Sequence, residues 1–331
     1  HDPEKWRKQV VGQCLSWIDG GLAPRAMTRD LDWGVKVPLA DAEGKVLYVW
    51  LDAPIGYISA TKQWAADNNK NWEDYWQSEE TNLVHFIAKD NIVFHCIIFP
   101  IILKEHGKFN LPVNVPANEF LNLEGDKIST SREWAVWLHE YMEDFEGKKD
   151  ELRYVLTSIA PETKDSEFTW KDYQARVNNE LVAILGNFIN RSFVLVNKYY
   201  EGEIPALGEL QEVDEQLLRQ LESLPAQIEE KLHAHKYREA LTIAMGFARL
   251  GNKYLADTEP WKLFKTDPER TKTILHLSLD VSARIAMYLR PFLPDATQKI
   301  ESALQADLSA WAKDWKSPVV AGNKVDKPEL L

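Results

Sequence analysis

The chain has 331 residues, room for two or three domains, with 45% apolar residues and a net charge of −12. No apolar run reaches the length of a membrane span, and the opening HDPEKWRK is charged where a secretory leader would be apolar. The acidic balance argues against binding nucleic acid through phosphates alone. It leaves room for a local patch that reads unstacked bases by stacking and edge contacts.

The opening helical pattern places Trp6, Val10, Cys14 and Ile18 four apart, with Val11 and Leu15 beside them. It reads as a chain cut from something longer or as a mature start without a leader. The two cysteines, Cys14 and Cys96, are distant, and no Cys-x-x-Cys pair or zinc-type His/Cys cluster accompanies them. No structural zinc is therefore expected, and both are read as buried free thiols. Residues 46–50 (VLYVW) and 82–88 (NLVHFIA) read as buried parallel strands. Helices are expected over 55–66 and 91–106, with a third strand at 111–115. Strand, helix, strand, helix, strand is the pattern of a doubly wound α/β half. Asn118 to Leu123 is strand-like, and Glu124-Gly125-Asp126 carries turn chemistry. Short helices at 133–145 and 149–160 precede Pro161. From Trp170 the pattern is helical, over 170–200, 212–232, 234–257, 268–290 and 294–304, which predicts an antiparallel bundle.

Four constellations carry chemistry. Trp50-Leu51-Asp52-Ala53-Pro54-Ile55-Gly56-Tyr57 ends a predicted strand and enters a helix, the edge where open α/β sheets bind ligands. Its aromatic residues with polar tips, set among small ones, suit a compact apolar pocket. Lys89-Asp90-Asn91-Ile92-Val93-Phe94-His95 follows the second strand, with Asp90 expected at an N-cap and His95 facing inward. Lys127-Ile128-Ser129-Thr130-Ser131-Arg132 sets hydroxyls beside two cations, as a mobile phosphate-holding loop would. Asn187 and Arg191 share a helix face away from the stripe of Leu181, Leu185, Phe188 and Val196, and Trp261 follows Pro260 at an expected exposed helix start. Singly, each also fits a bland reading: a strand-to-helix turn, a satisfied core histidine, a solvated loop, a polar helix face.

Together and in this order they resemble the class I aminoacyl-tRNA synthetases, and specifically the methionyl-tRNA synthetase family. WLDAPIGY, KDNIVFH, the KISTS loop in place of the family's Lys-Met-Ser-Lys-Ser, and the earlier Asp32-Trp33-Gly34 stretch all match. The resemblance covers essentially the whole chain. It implies that ATP, as its Mg2+ complex, activates methionine, and that the methionyl group then passes to tRNA(Met). The protein's part in that reaction is positioning and charge stabilisation. It further implies that Trp50, Ala53, Pro54, Tyr57 and His95 enclose the methionine side chain, with the Tyr57 hydroxyl near the sulfur. Asp90 falls at the ATP ribose. Lys127, Ser129, Thr130 and Ser131 hold the triphosphate. Asn187, Arg191 and Trp261 read the CAU anticodon by base-edge contacts and stacking.

Two departures follow. Thr130 stands where the family signature has its second Lys, so another cation, Arg132, Lys127 or Lys36, is expected to carry part of that load. The family's other ATP signature, His-Ile-Gly-His, does not occur, nor do the first half of the nucleotide fold and the inserted zinc-bearing domain, so little aminoacylation is expected of these residues alone.

The expected fold is thus the α/β half of a doubly wound, Rossmann-like nucleotide-binding domain followed by an all-α antiparallel helix bundle. Residues 1–115 form the second half of the catalytic domain, 116–166 a stem-contact region with the KISTS loop, 167–318 the anticodon-binding bundle, and 319–331 a linker towards an appended tRNA-binding or dimerising domain. A cytoplasmic location without membrane attachment is expected. The rival readings are a tRNA-docking protein, which needs no amino-acid pocket, and a synthetase for Leu, Ile or Val, whose branched substrates suit the Trp50, Tyr57 and His95 wall less well than a slim thioether.

Overall fold

A computed structural model describes residues 6–312 and 314–328. The chain divides into two compact units, His1–Phe120 with Pro161–Asp165, and Leu121–Ala160 with Ser166–Leu331.

In the first unit, α1 (Lys8–Asp19) turns Val10 inward, where Trp6, Ile92, Val115 and Ala117 form a small core with Val11 and Cys14 against it. Leu15 and Ile18, part of the expected apolar stripe, are exposed. Arg7 fastens the start of this helix by donating to the carbonyls of Ala117 (2.7 Å) and Glu162 (3.0 Å). Next, β1 (Thr28–Arg29) pairs antiparallel with β2 (Val46–Leu47). The strand expected over 46–50 therefore stops after two residues. Val49 to Asp52 form a single helical turn, α2, and α3 (Ile55–Asp67) follows. Aromatic and β-branched composition reports burial more than backbone preference, and Pro54 at φ −65° already has a helical backbone.

After α4 (Glu73–Trp76), the run 82–88 forms two strands, β3 (Leu83–Val84) and β4 (Ile87–Ala88). They pair in parallel with β5 (Pro112–Asn114) and β6 (Ala117–Asn118). Between the pairs the His85 amide still donates to the Asn114 carbonyl (3.2 Å). Pro116 interrupts the partner strand because it has no N–H to give. The connection is helical: a 3₁₀ turn (Lys89–Asn91), a wide π-helical turn (Phe94–Ile98) and α5 (Phe99–His106). Gly107, at φ +79°, closes it with its amide on the Leu103 carbonyl. Ile58, Trp76, Phe99 and Leu103 form the second core of this unit.

In the second unit, β7 (Leu121–Leu123) pairs antiparallel with β8 (Asp126–Lys127) across the Glu124-Gly125 turn, both at positive φ, and in parallel with β9 (Ser166–Phe168). The helix expected from 133 begins only at Leu138, as α6 (Leu138–Asp144), because Glu133 is left-handed and Trp134 is bridged back to Ser129. After α7 (Lys149–Ser158), the expected helix 170–200 forms throughout, as α8 (Trp170–Arg176), a π-helical stretch (Val177–Gly186) and α9 (Asn187–Tyr200). α10 (Glu212–His233) matches its prediction closely. The helix expected over 234–257 is divided at Met245 into α11 (Tyr237–Ala244) and α12 (Gly246–Thr258). The short α13 (Pro260–Leu263), the long α14 (Pro268–Tyr288) and α15 (Pro294–Leu304) complete the bundle. Residues 319–328 correct the linker reading. Val319 and Val325 are buried in the bundle core, and the Val325 amide donates to Gly202.

Helix α14 is buried on every side from Thr273 to Tyr288, as a central helix must be. Two of its buried polar side chains are tied within the protein, with His276 on the Pro205 carbonyl (2.8 Å) and Arg284 Nε on Asp280 (2.9 Å). At its start Arg270 makes two hydrogen bonds to the fully buried Asp214 of α10 (2.5 and 2.7 Å), and Tyr254 of α12 donates to the same carboxylate (2.6 Å). Burial alone would push that carboxyl up. The bonds from Arg270, the Gln211 amide and Tyr254 outweigh burial and hold it below its ordinary value.

Removing one partner from a buried pair costs about 3–5 kcal/mol, whereas an apolar replacement of both is often neutral. Arg270→Met is therefore expected to lower the unfolding free energy of the bundle by that amount in urea titrations, and Asp214→Leu with Arg270→Met by much less. The depressed Asp214 pKa makes its stabilisation present above the ordinary aspartate value of 3.8 and lost as pH falls below it.

Candidate functional site

The turn α2–α3 and the helical connection after β4 bring two of the singled-out segments together. Trp50 lies against Phe94, centroids 5.1 Å apart and stacked. The Tyr57 hydroxyl lies 3.0 Å from His95 Nε2. On its other side, His95 Nδ1 is 3.1 Å from the Asn91 carbonyl, a bond that places the ring proton on Nδ1 and leaves Nε2 to accept from Tyr57. His95 is buried, and burial holds its pKa down against the opposing pull of the Asn91 carbonyl. The imidazole is therefore neutral at pH 7, and the Tyr57 hydroxyl proton is already engaged with it. Pro54 is buried, while Ala53 and Tyr57 are exposed. The result is a half-open wall of aromatic rings without a fixed charge, suited to a slim, apolar, polarisable group.

Asp90 departs from its expected place. The residue before the turn is Ala88, which supplies no side-chain cap, and Asp90 sits exposed within the first turn, where its charge still favours the helix start. Lys89 is engaged in structure, with Glu119 (2.8 Å), Asp165 (2.7 Å) and the Phe120 ring beneath it.

Sequence reasoning passed over His85. Its ring lies 5.4 Å from His95, 5.8 Å from Tyr57 and 5.7 Å from Phe99, and its Nε2 is buried without a hydrogen-bond partner among the described residues. Burial first, then the neighbouring His95, lowers its pKa to about 4. The only signal was a polar residue interrupting an apolar strand pattern. Asp52, whose Oδ1 is buried without a hydrogen-bond partner among the described residues, was passed over too.

The loop with Lys127, Ser129, Thr130 and Ser131 belongs to the second unit. Lys127 ends β8 and is exposed. Ser129 and Trp134 exchange both backbone hydrogen bonds (3.0 and 2.9 Å), and Trp134 Nε1 anchors the loop on the Leu123 carbonyl (3.0 Å). The hydroxyls of Ser129 and Ser131 lie 3.2 Å apart, and Arg132 folds back to donate to the Lys127 carbonyl (3.3 Å). That contact brings a guanidinium to the loop in which Thr130 replaces a cation.

Elsewhere in the second unit, Asn187 and Arg191 do share a face of α9, and the Arg191 guanidinium lies 4.5 Å over the Trp261 ring. Trp261 is half-buried against the bundle core, a correction to its expected exposure. The Asn187 amide donates to Asn252 (3.3 Å), which itself donates to the carbonyls of Ile184 (2.8 Å) and Ala248 (3.0 Å). Asn252 thereby satisfies a carbonyl of the π-helical stretch just before Asn187. Its reach depends on Gly251, where an added Cβ would lie 2.4 Å from the Phe188 ring.

An α/β unit followed by a helical bundle matches the class I aminoacyl-tRNA synthetases. The family model "tRNA synthetases class I (M)" matches residues 1–193, and "Anticodon binding domain of methionyl tRNA ligase" matches residues 204–331. The chain belongs to the methionyl class I tRNA synthetase family. It is 59% identical over 329 residues to the methionine–tRNA ligase of Bacteroides fragilis, covering 99% of this chain and 48% of that protein. It is 57% identical over 338 residues to that of Cytophaga hutchinsonii, covering 100% and 49%. The Mycobacterium tuberculosis methionyl-tRNA synthetase in complex with methionyl-adenylate superposes with a TM-score of 0.84 at 26% identity, over 98% of this chain and 63% of that one. The chain thus spans about half the length of the curated relatives it matches. Among the described residues no helix is long and apolar enough to cross a membrane.

Two predictions follow from this geometry. A histidine held at about 4 in the fold binds fewer protons than when unfolded, so its contribution is complete above its ordinary value of 6.5 and is lost as pH falls towards 4. The slope is at most about 1.4 kcal/mol per pH unit. Urea titrations at pH 7, 5.5 and 4.5 are expected to show this decline, and a smaller one in His85→Phe; an equal decline in both proteins counts against the assignment. Gly251→Ala overpacks Phe188 and is expected to cost about 1–3 kcal/mol, seen as a lower melting temperature of the bundle.

Proposed function

We propose that the protein is a methionine–tRNA ligase, which activates methionine with ATP to methionyl-adenylate and transfers the methionyl group to tRNA(Met). The observation that carries this reading is the uncharged aromatic wall of Trp50, Tyr57 and His95, formed by two motifs specific to the family. Trp50, Ala53, Pro54, Tyr57 and His95 would enclose the thioether. Since the Tyr57 hydroxyl donates to His95, it would meet the sulfur through its oxygen and ring rather than through its proton. Asp90 would accept from the ATP ribose. Lys127, Ser129, Thr130 and Ser131 would hold the triphosphate, with Arg132 supplying charge that Thr130 lacks.

Magnesium would enter with ATP as part of the substrate and would neutralise phosphate charge. Among the described residues no group of three or more His, Cys, Asp or Glu is placed to hold a metal ion.

In the bundle, Asn187 and Arg191 would contact base edges of the CAU anticodon. The Arg191–Trp261 pair would act as one stacking platform, a base lying on the guanidinium plane or replacing it over the indole. The 331 residues contain no His-Ile-Gly-His tetrapeptide, and by themselves they are expected to give little ATP–pyrophosphate exchange. The domain assignment follows the same reading, with 1–115 as the second catalytic half, 116–166 as the stem-contact region and 167–318 as the anticodon reader.

The test is binding of an anticodon stem-loop bearing CAU against the same loop with one anticodon base changed, at fixed moderate salt. A preference of about tenfold, roughly 1.4 kcal/mol and within the reach of one base contact, is expected, with its loss in Trp261→Ala. Equal affinity for both loops, with normal helical circular dichroism, would overturn the anticodon assignment.

A further inference from the structure

Cys14 and Cys96 are 82 positions apart in sequence, yet the fold sets them side by side. Both pack on the cluster of Trp6, Val10, Ile92 and Val115, and each thiol shifts the other's protonation, Cys14 down and Cys96 up. Both are free thiols and neither is fully buried. Cys14 lies on α1, one turn after Val10. Cys96 lies in the π-helical turn Phe94–Ile98, one residue after His95.

We propose that Cys14 and Cys96 form a reversible disulfide, an oxidation site that tethers α1 to the helical turn carrying His95. The inference is independent of the substrate assigned to the pocket. A small disulfide such as glutathione disulfide is a sufficient oxidant. The Cys14 thiolate attacks one glutathione sulfur, and the first glutathione leaves with the proton given up by Cys14. Cys96 then loses its proton and attacks the Cys14 sulfur of the mixed disulfide, which expels the second glutathione. Two protein thiols are oxidised, and one glutathione disulfide is reduced to two thiols.

The neighbouring thiol holds Cys14 below its ordinary value, while Cys14 and burial push Cys96 up, so the pair offers a thiolate to start the exchange and a second thiol beside it to complete it. An unpaired cysteine pair of this kind differs from a structural disulfide in being made and broken by the ambient thiol poise.

The chain would be equilibrated with glutathione redox buffers, alkylated, digested and mapped by mass spectrometry. The expected result is loss of both thiols per chain with a Cys14–Cys96 cross-linked peptide, reversed by dithiothreitol. Cys14→Ser and Cys96→Ser should each lose a single thiol, as a glutathione adduct. Hydrogen exchange over residues 92–99 should slow several-fold on oxidation of the wild type and stay unchanged in Cys14→Ser. Separate glutathione adducts on both cysteines without a cross-link, or two thiols that stay reduced in the fold but react when it is unfolded in urea, would overturn the site. A cross-link that leaves exchange at 92–99 unchanged would overturn the tether.

Discussion

A carboxylate with no exposure to water survives in a protein only when its charge is answered nearby. Asp214 is answered three times over, by Arg270, by the Tyr254 hydroxyl and by the Gln211 amide. These partners come from the start of α14, from α12 and from the residue preceding α10. Satisfying one buried charge therefore sets the mutual placement of three helices. An apolar interface between the same helices would tolerate sliding by a ridge, whereas two hydrogen bonds to a guanidinium do not. The wholly buried α14, the approach of α12 to α9 at Gly251, and the face that carries Asn187, Arg191 and Trp261 all inherit that placement.

The first unit is organised differently. Its parallel pairing is short and broken by Pro116, and its helices are small, so local wide turns take on the positioning. The π-helical turn Phe94–Ile98 sets Phe94 against Trp50 and His95 against Tyr57 and the Asn91 carbonyl. A second π-helical stretch precedes Asn187 in the bundle, where Asn252 satisfies a carbonyl beside the wide turn. In both places an extra residue in the helical turn coincides with side chains assigned to recognition. Such insertions often mark functional sites, because they re-aim side chains at the cost of weaker backbone bonds.

Much of this was legible from residues alone. The bundle helices α9, α10, α14 and α15 follow their apolar spacing closely, and the order of WLDAPIGY, KDNIVFH and KISTS identified the family before any coordinate. Errors arose where a neighbour overrode local preference. Val49 and Trp50 look like strand residues and are helical, although neither is buried; the helical turn runs on into Pro54, whose backbone is already helical. Glu133 and Trp134 look helical and close a loop, because Trp134 finds the Leu123 carbonyl. Residues 319–328 look like a linker and return to the core through Val319 and Val325. His85, Asn252 and the pairing of the two cysteines had no sequence signal beyond residue type.

By itself, the sequence determined the family and the class of each unit, because these depend on periodicity and on motifs read over a few adjacent positions. Only the tertiary structure decided that Tyr57 gives its proton to His95, that His85 stands neutral beside them, that Arg191 covers a face of Trp261, and that Cys14 meets Cys96. Each of these joins residues from separate elements. Their distance in space is set by packing and by the pairing of buried charge, neither of which is written in any local stretch of chain.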